Sequence, residues 1–156
     1  MNDPIKSRLL ELAANFKDEL GGVMPLLHQV QKQFGYIPES CAVTVAPLFR
    51  LSTAEVEGVI SFYHQFKREP QGKHRIQICR AEACQANGCR ELEAFSKEYL
   101  QLEYGQTSAD GLLSLDSVYC LGLCSHGPAV RVDDDLFVEV GAEKLQSIVE
   151  GLNDGR

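Results

Sequence analysis

Four of the six cysteines fall into two pairs. Cys79 and Cys84 are spaced C-x4-C, and Cys120 and Cys124 are spaced C-x3-C, with 36 positions from Cys84 to Cys120. A thioredoxin-type redox dithiol needs C-x-x-C at a helix N-terminus, and no two cysteines here are spaced that way. Structural zinc also takes four thiolates, usually with one tight C-x-x-C knuckle around a single tetrahedral ion. Spacings of four and three leave zinc open but suit a wider object. A [2Fe–2S] cluster presents two irons, each taking two terminal thiolates. Two cysteine loops, one per iron, is the arrangement it needs. Glycines at 88, 122 and 127 would let backbone N–H groups approach the sulfurs. Leu121 and Leu123 alternate with the second pair and could screen the site from water. Cys41 and Cys89 stand outside both pairs, Cys89 being the nearest substitute ligand.

The other reactive side chains make a weaker case. His126 lies two residues after Cys124, as in half of a Rieske site, but the C-x-x-H half is missing. It reads as a loop residue near the cysteines. His28 and His64 sit among apolar neighbours in helical segments and read as core or interface packing. His74 reads as exposed ahead of a strand. No Ser/His/Asp triad, paired carboxylate site, G-x-G-x-x-G or G-x-x-x-x-G-K-[ST] loop stands out. The chain alone is therefore expected to be non-catalytic, with no nucleotide pocket of its own.

The elements that must hold the cysteines change character near Lys67–Arg75. Before it, the chain reads as short helices. Pro4 suits a first turn capped by Asn2 or Asp3, and Ile5, Leu9, Leu12, Ala13 and Phe16 recur at helical spacing. Leu26, Leu27, Val30 and Phe34 form a second stripe that stops at Gly35. Ser40 is a candidate cap for a short helix through Phe49. Ser52 and Glu55 form a capping box, followed by Val56, Val59, Ile60 and Tyr63 on one face. After Gly72 the period shifts. "RIQIC" alternates as a strand and Arg90–Leu102 is an amphipathic helix with Leu92, Phe95 and Tyr99 inward. A turn at Asp110-Gly111 leads into a strand ending at Cys120. "AVRV" and "LFVEV" flank the Asp133–Asp135 turn as a hairpin, and a helix closes the chain. The expected fold class is α/β: a small mixed sheet with helices on it, preceded by a helical bundle. The domains are expected at 1–72 and 73–156. Each cysteine pair begins where a strand ends, so two loops at one sheet edge can bring four sulfurs together.

Composition narrows the classes further. The chain has 156 residues and a net charge of −7. Residues 1–72 hold 7 basic and 8 acidic side chains, and residues 73–156 hold 8 and 14. Phosphate binding wants a basic footprint, so nucleic acid is not an expected partner. The sequence has neither a long apolar run nor a secretory leader. A cytoplasmic chain without membrane insertion is expected, where thiols normally stay reduced.

Four stretches, "HQVQKQFGYIPES", "EVEGVISFYHQF", "CRAEAC" and "VYCLGLCSHGPAV", resemble in this order the thioredoxin-like [2Fe–2S] ferredoxin family. That family includes the 24 kDa (E) subunit of NADH:quinone oxidoreductase and its relatives in NAD-reducing hydrogenases. "CRAEACQ" and "YCLGLCSHGPAV" are most similar to the gamma subunit of soluble NAD-dependent formate dehydrogenases. The resemblance implies a helical bundle followed by a thioredoxin-like domain without the redox dithiol. It implies one [2Fe–2S] cluster with Cys79, Cys84, Cys120 and Cys124 as its iron ligands. It implies a flavoprotein (beta) partner carrying FMN, the NAD site and further Fe–S clusters. The formate dehydrogenase likeness adds a molybdenum- or tungsten-containing catalytic (alpha) subunit. Hydride exchange with NAD moves two electrons and iron–sulfur centres move one, so the flavin converts between them. The implied function is single-electron exchange with that FMN. The equivalent subunits of NADH:quinone oxidoreductase or hydrogenase, and a structural zinc or assembly module, are the competing expectations.

Overall fold

The computed structural model describes residues 3–154. The chain divides into two compact units, within Met1–Pro70 and Gln71–Arg156.

The first unit is helical. Helix α1, Pro4–Ala14, starts with proline in its first turn and is capped by Asp3, whose carboxylate accepts the Ile5 N–H at 3.0 Å. The alternative cap, Asn2, lies outside the described residues. Helix α2, Val23–Phe34, ends at Gly35, whose φ of 79° is left-handed. Helix α3 covers only Cys41–Val45 and passes into a 3-10 turn at Ala46–Phe49, with no side-chain cap from Ser40. Helix α4, Thr53–Phe62, carries the expected capping box: Glu55 accepts the Ser52 N–H at 2.7 Å while Ser52 Oγ accepts the Glu55 N–H at 3.2 Å. Leu9, Leu26, Leu27, Val30, Ile37, Val45, Val56 and Ile60 fill the core. Tyr63 lies just past the end of α4 and is exposed, because the helix stops before that face completes another turn. His28 and His64 are also exposed rather than core residues, with the His28 ring 5.1 Å from that of Phe66.

The second unit is built on a five-stranded sheet in the order β2-β3-β1-β4-β5. Strand β1, His74–Cys79, lies in the middle. It pairs in parallel with β3, Leu113–Val118, and antiparallel with β4, Val130–Val132. A parallel neighbour requires a long crossover. Helices α5 (Glu82–Ala86) and α6 (Cys89–Leu100) supply it, followed by the two-residue strand β2, Gln106–Thr107. Strand β5, Asp135–Phe137, closes the hairpin, so Asp135 belongs to a strand rather than to the turn. Helix α7, Ala142–Asp154, follows. Ile76, Ile78, Leu115, Val130, Leu92, Leu145 and Val149 form one core across sheet and helices. Tyr99 departs from the expected inward position. It is 37% exposed and stacks on Phe95 at 5.4 Å. His74 is the first residue of β1, partly covered, and its Nδ1 lies 2.7 Å from an Asp133 oxygen. No described helix is long and apolar enough to cross a membrane.

Candidate metal centre

All six cysteines are free thiols. Because β1 and β3 run parallel, their C-terminal ends lie at one edge of the sheet. Cys79 is the last residue of β1, and Cys120 lies two residues beyond the end of β3. The Arg80 N–H donates to the Val118 carbonyl at 2.7 Å and ties the two exits together. Cys84 does not sit in an open loop. It is carried by α5, which packs against the 3-10 turn Cys124–His126 holding the fourth cysteine.

The sulfurs stand as two unlike pairs. Cys79 and Cys84 are each 1% exposed, whereas Cys120 and Cys124 are exposed, with Sγ atoms 3.6 Å apart. Burial raises the Cys84 thiol above its ordinary value; the Ala129 backbone acts in the other direction, while neighbouring Cys79 and Cys124 add to the rise. The Gly122 N–H donates to Cys120 Sγ at 3.3 Å and holds that thiol below its usual range, helped by Cys124. The proton shared with Cys120 raises Cys124, and charge on Cys120 and Cys79 adds to it. One backbone amide, that of Gly122, thus already donates to sulfur. Among the described residues, no three His, Cys, Asp or Glu side chains converge as a single metal ion would require.

The backbone around these sulfurs is shaped for them. Cys120 has φ 128°, a conformation that costs on the order of 1–3 kcal/mol for a residue with a side chain. A Cβ on Gly127 would lie 3.3 Å from both Cα and Sγ of Cys84, so a side chain here would push the turn and the thiol apart by a few tenths of an ångström. Gly122, at φ 78°, uses the left-handed region to aim its N–H at Cys120. Four thiols, an amide donor and a glycine closed against one sulfur fit a thiolate-held cluster.

Comparison with known proteins adds to this geometry. The family profile described as "Thioredoxin-like [2Fe-2S] ferredoxin" matches residues 9–153. The chain belongs to the thioredoxin-like [2Fe–2S] ferredoxin family. Its members carry one [2Fe–2S] cluster, and this chain is similar throughout to members named for NADH-quinone oxidoreductase. NADH-quinone oxidoreductase subunit 2 of Thermus thermophilus is 36% identical over 135 residues, covering 86% of this chain and 75% of that one. The NADH-quinone oxidoreductase E subunit of Aquifex aeolicus is 32% identical over 147 residues, covering 94% and 92%. The corresponding E subunit of Escherichia coli K12 is 32% identical over 136 residues, covering 87% and 82%. The crystal structure of an NAD+-reducing [NiFe]-hydrogenase in its air-oxidized state superposes with a TM-score of 0.70 at 21% identity. That likeness is one of fold. It covers 86% of this chain, which spans 23% of the length of the hydrogenase chain.

Within the family frame, the remaining cysteines separate from the four. Cys41 is fully buried in the helical unit, where burial pushes its thiol up to about 11; Arg68 counters this and Glu57 adds to it. Cys89 opens α6, is fully buried, and points its thiol at the Cys79 carbonyl, 3.0 Å away. Burial first, then the charges on Cys84 and Glu93, push it up to about 11. His126 is exposed and its Nδ1 lies 2.8 Å from Ser125 Oγ. Leu121 and Leu123 are only half-buried and leave the Cys120 and Cys124 sulfurs open, contrary to the screening expected of them. The Gly122 donor was legible in part, as a glycine beside the cysteines, whereas the influence of Ala129 on Cys84 depends on strand register and has no local signal.

Proposed function

We propose that this chain is the electron-transfer subunit of an NAD-dependent oxidoreductase complex, with Cys79, Cys84, Cys120 and Cys124 as the ligands of its one [2Fe–2S] cluster. The observation that carries the ligand assignment is the parallel β1–β3 pairing, which delivers one cysteine pair from each strand to a single sheet edge. When bound, such a cluster supplies a one-electron carrier. The chain's own residues hold it and bias its environment. The Cys79–Cys84 side is closed from water, which disfavours extra negative charge there. The Gly122 amide acts in the opposite sense, because an N–H group aimed at sulfur stabilises the more negative state. The exposed Cys120–Cys124 side is the face open to a donor or acceptor.

The relatives named as parts of NADH-quinone oxidoreductase support the NAD-linked reading and a flavoprotein partner carrying FMN. Within that class, the residues of "CRAEACQ" and "YCLGLCSHGPAV" favour the gamma subunit of a soluble formate dehydrogenase with a molybdenum or tungsten partner. Purification of the native complex tests this. A flavoprotein, a molybdopterin subunit and formate-dependent NAD reduction are expected to co-purify with the chain. A nickel–iron pair or a membrane quinone module in their place overturns the formate reading and leaves the electron-transfer reading standing. Conversion of Cys120 to Ala in that complex tests the role of the site. Unchanged formate-dependent NAD reduction together with an unchanged flavin radical yield removes the cluster from electron transfer.

A further inference from the structure

The ladder between β1 and β4 is half-made where it reaches Cys79. The Ala129 carbonyl accepts the Cys79 N–H at 3.0 Å, continuing the β1–β4 ladder one step beyond the Ile78–Val130 pair. In a hydrogen-bonded antiparallel pair the two residues exchange both bonds. The Ala129 N–H therefore belongs, by the regular pattern, on the Cys79 carbonyl. That return bond is not made. The vacated position is filled from elsewhere: the Cys79 carbonyl accepts from Cys89 Sγ at 3.0 Å.

We propose that Cys89 is a positioning residue for the metal centre, its thiol replacing the missing ladder bond to the Cys79 carbonyl and so fixing the backbone of that ligand. This rests on the reading of Cys79 and Cys84 as ligands. The geometry also explains why a third cysteine so close to the pair does not compete with them. A ligand must be a thiolate, and a thiolate at 3.0 Å from a carbonyl oxygen would face its lone pairs. The S–H is a weak donor, but the acceptor is buried and an unmade bond there is costly. Cys89 reaches it because Gly88, at φ 91°, turns the chain into α6 immediately beneath β1.

Two variants of the full-length chain, Cys89→Ala and Cys89→Ser, separate this role from simple packing. Alanine removes the donor, whereas serine keeps one. The readouts are the rate of cluster loss to an iron chelator and the midpoint potential by redox titration. Cys89→Ala is expected to lose its cluster about threefold to tenfold faster, the equivalent of one net hydrogen bond. Its potential should shift from that of the parent, because the Cys79 backbone is no longer held by the S–H donor. Cys89→Ser should stay within about twofold of the parent in rate. The proposal is overturned if Cys89→Ala matches the parent in both readouts, or if serine and alanine are equally impaired. Should Cys89→Ala fail to fold, the serine variant decides alone: a folded protein that sheds its cluster several-fold faster contradicts the proposal. Cys79→Ala distinguishes the underlying reading. If that variant keeps the cluster while Cys89→Ala abolishes it, the ligand assignment is wrong and the positioning role falls with it.

Discussion

Cys84 and Cys89 are five residues apart and equally hidden, yet the Cys89 thiol donates to a carbonyl oxygen whereas Cys84 has the sulfurs of Cys79 and Cys124 for neighbours. On the proposed assignment, that difference in partner, more than spacing, separates a ligand from its support. Exposure separates the four proposed ligands from one another. Cys120 and Cys124 are open, while Cys41, Cys79, Cys84 and Cys89 are no more than 1% exposed. Brief alkylation of the iron-free protein should therefore label Cys120 and Cys124 first, read by peptide mass spectrometry. Early labelling of Cys79 or Cys84 would contradict the asymmetry. Cys41 gives a prediction in pH. Its native thiol keeps its proton to about 11, against about 9 in the unfolded chain, held by burial against Arg68 with Glu57 assisting. The stability it contributes is complete below pH 9 and is lost as pH rises toward 11, about 3 kcal/mol in all. Denaturant titration should show this decline, and Cys41→Ala should make it shallower, leaving the share that the equally raised Cys89 thiol contributes.

At the scale of elements, the features readable from sequence were those with local chemistry. Ser52 and Glu55 announced the start of α4, Gly35 the end of α2, and Asp3 with Pro4 the start of α1. Ser52→Ala should cost about 1 kcal/mol, measured by denaturant unfolding, with a smaller loss if Glu55 alone holds the helix start. Elements set by distant partners were not readable. Strand β2 is two residues long and exists through its pairing with β3. Helix α5 is one short turn carrying Cys84, which alternation and capping signals could not foresee. Asp116, a charged residue of β3, was not singled out in the sequence. The structure buries it to 4% and meets it with Arg75 Nε at 2.6 Å, across the parallel pair. The cysteine pairs were legible because ligand spacing is itself a local signal. Their placement at one sheet edge follows from the parallel pairing of β1 and β3, and that pairing lies outside any single stretch of sequence.

For the whole molecule, charge and the site act together. Residues 73–156 carry a net −6 of the chain's −7. A tetrathiolate [2Fe–2S] centre adds about −2 when oxidised and −3 when reduced. Reduction thus places a further negative charge in an already acidic unit, which favours a low potential. Salt screens that repulsion, so the midpoint potential of the isolated subunit should rise with ionic strength; a fall would show that the acidic surface is not what sets it. The central claim is that one cluster is held by cysteines from two strand ends. Its most direct test is iron and labile sulfide counting, with low-temperature EPR after dithionite, on the purified chain and its single Cys→Ala variants. The account predicts two irons, two sulfides and an S = 1/2 signal in the parent. It predicts loss of that signal, or its replacement by an altered and unstable one, for Cys79, Cys84, Cys120 and Cys124, and its retention for Cys41 and Cys89. A colourless parent with a single zinc, or an intact signal after any of the four ligand substitutions, would contradict it.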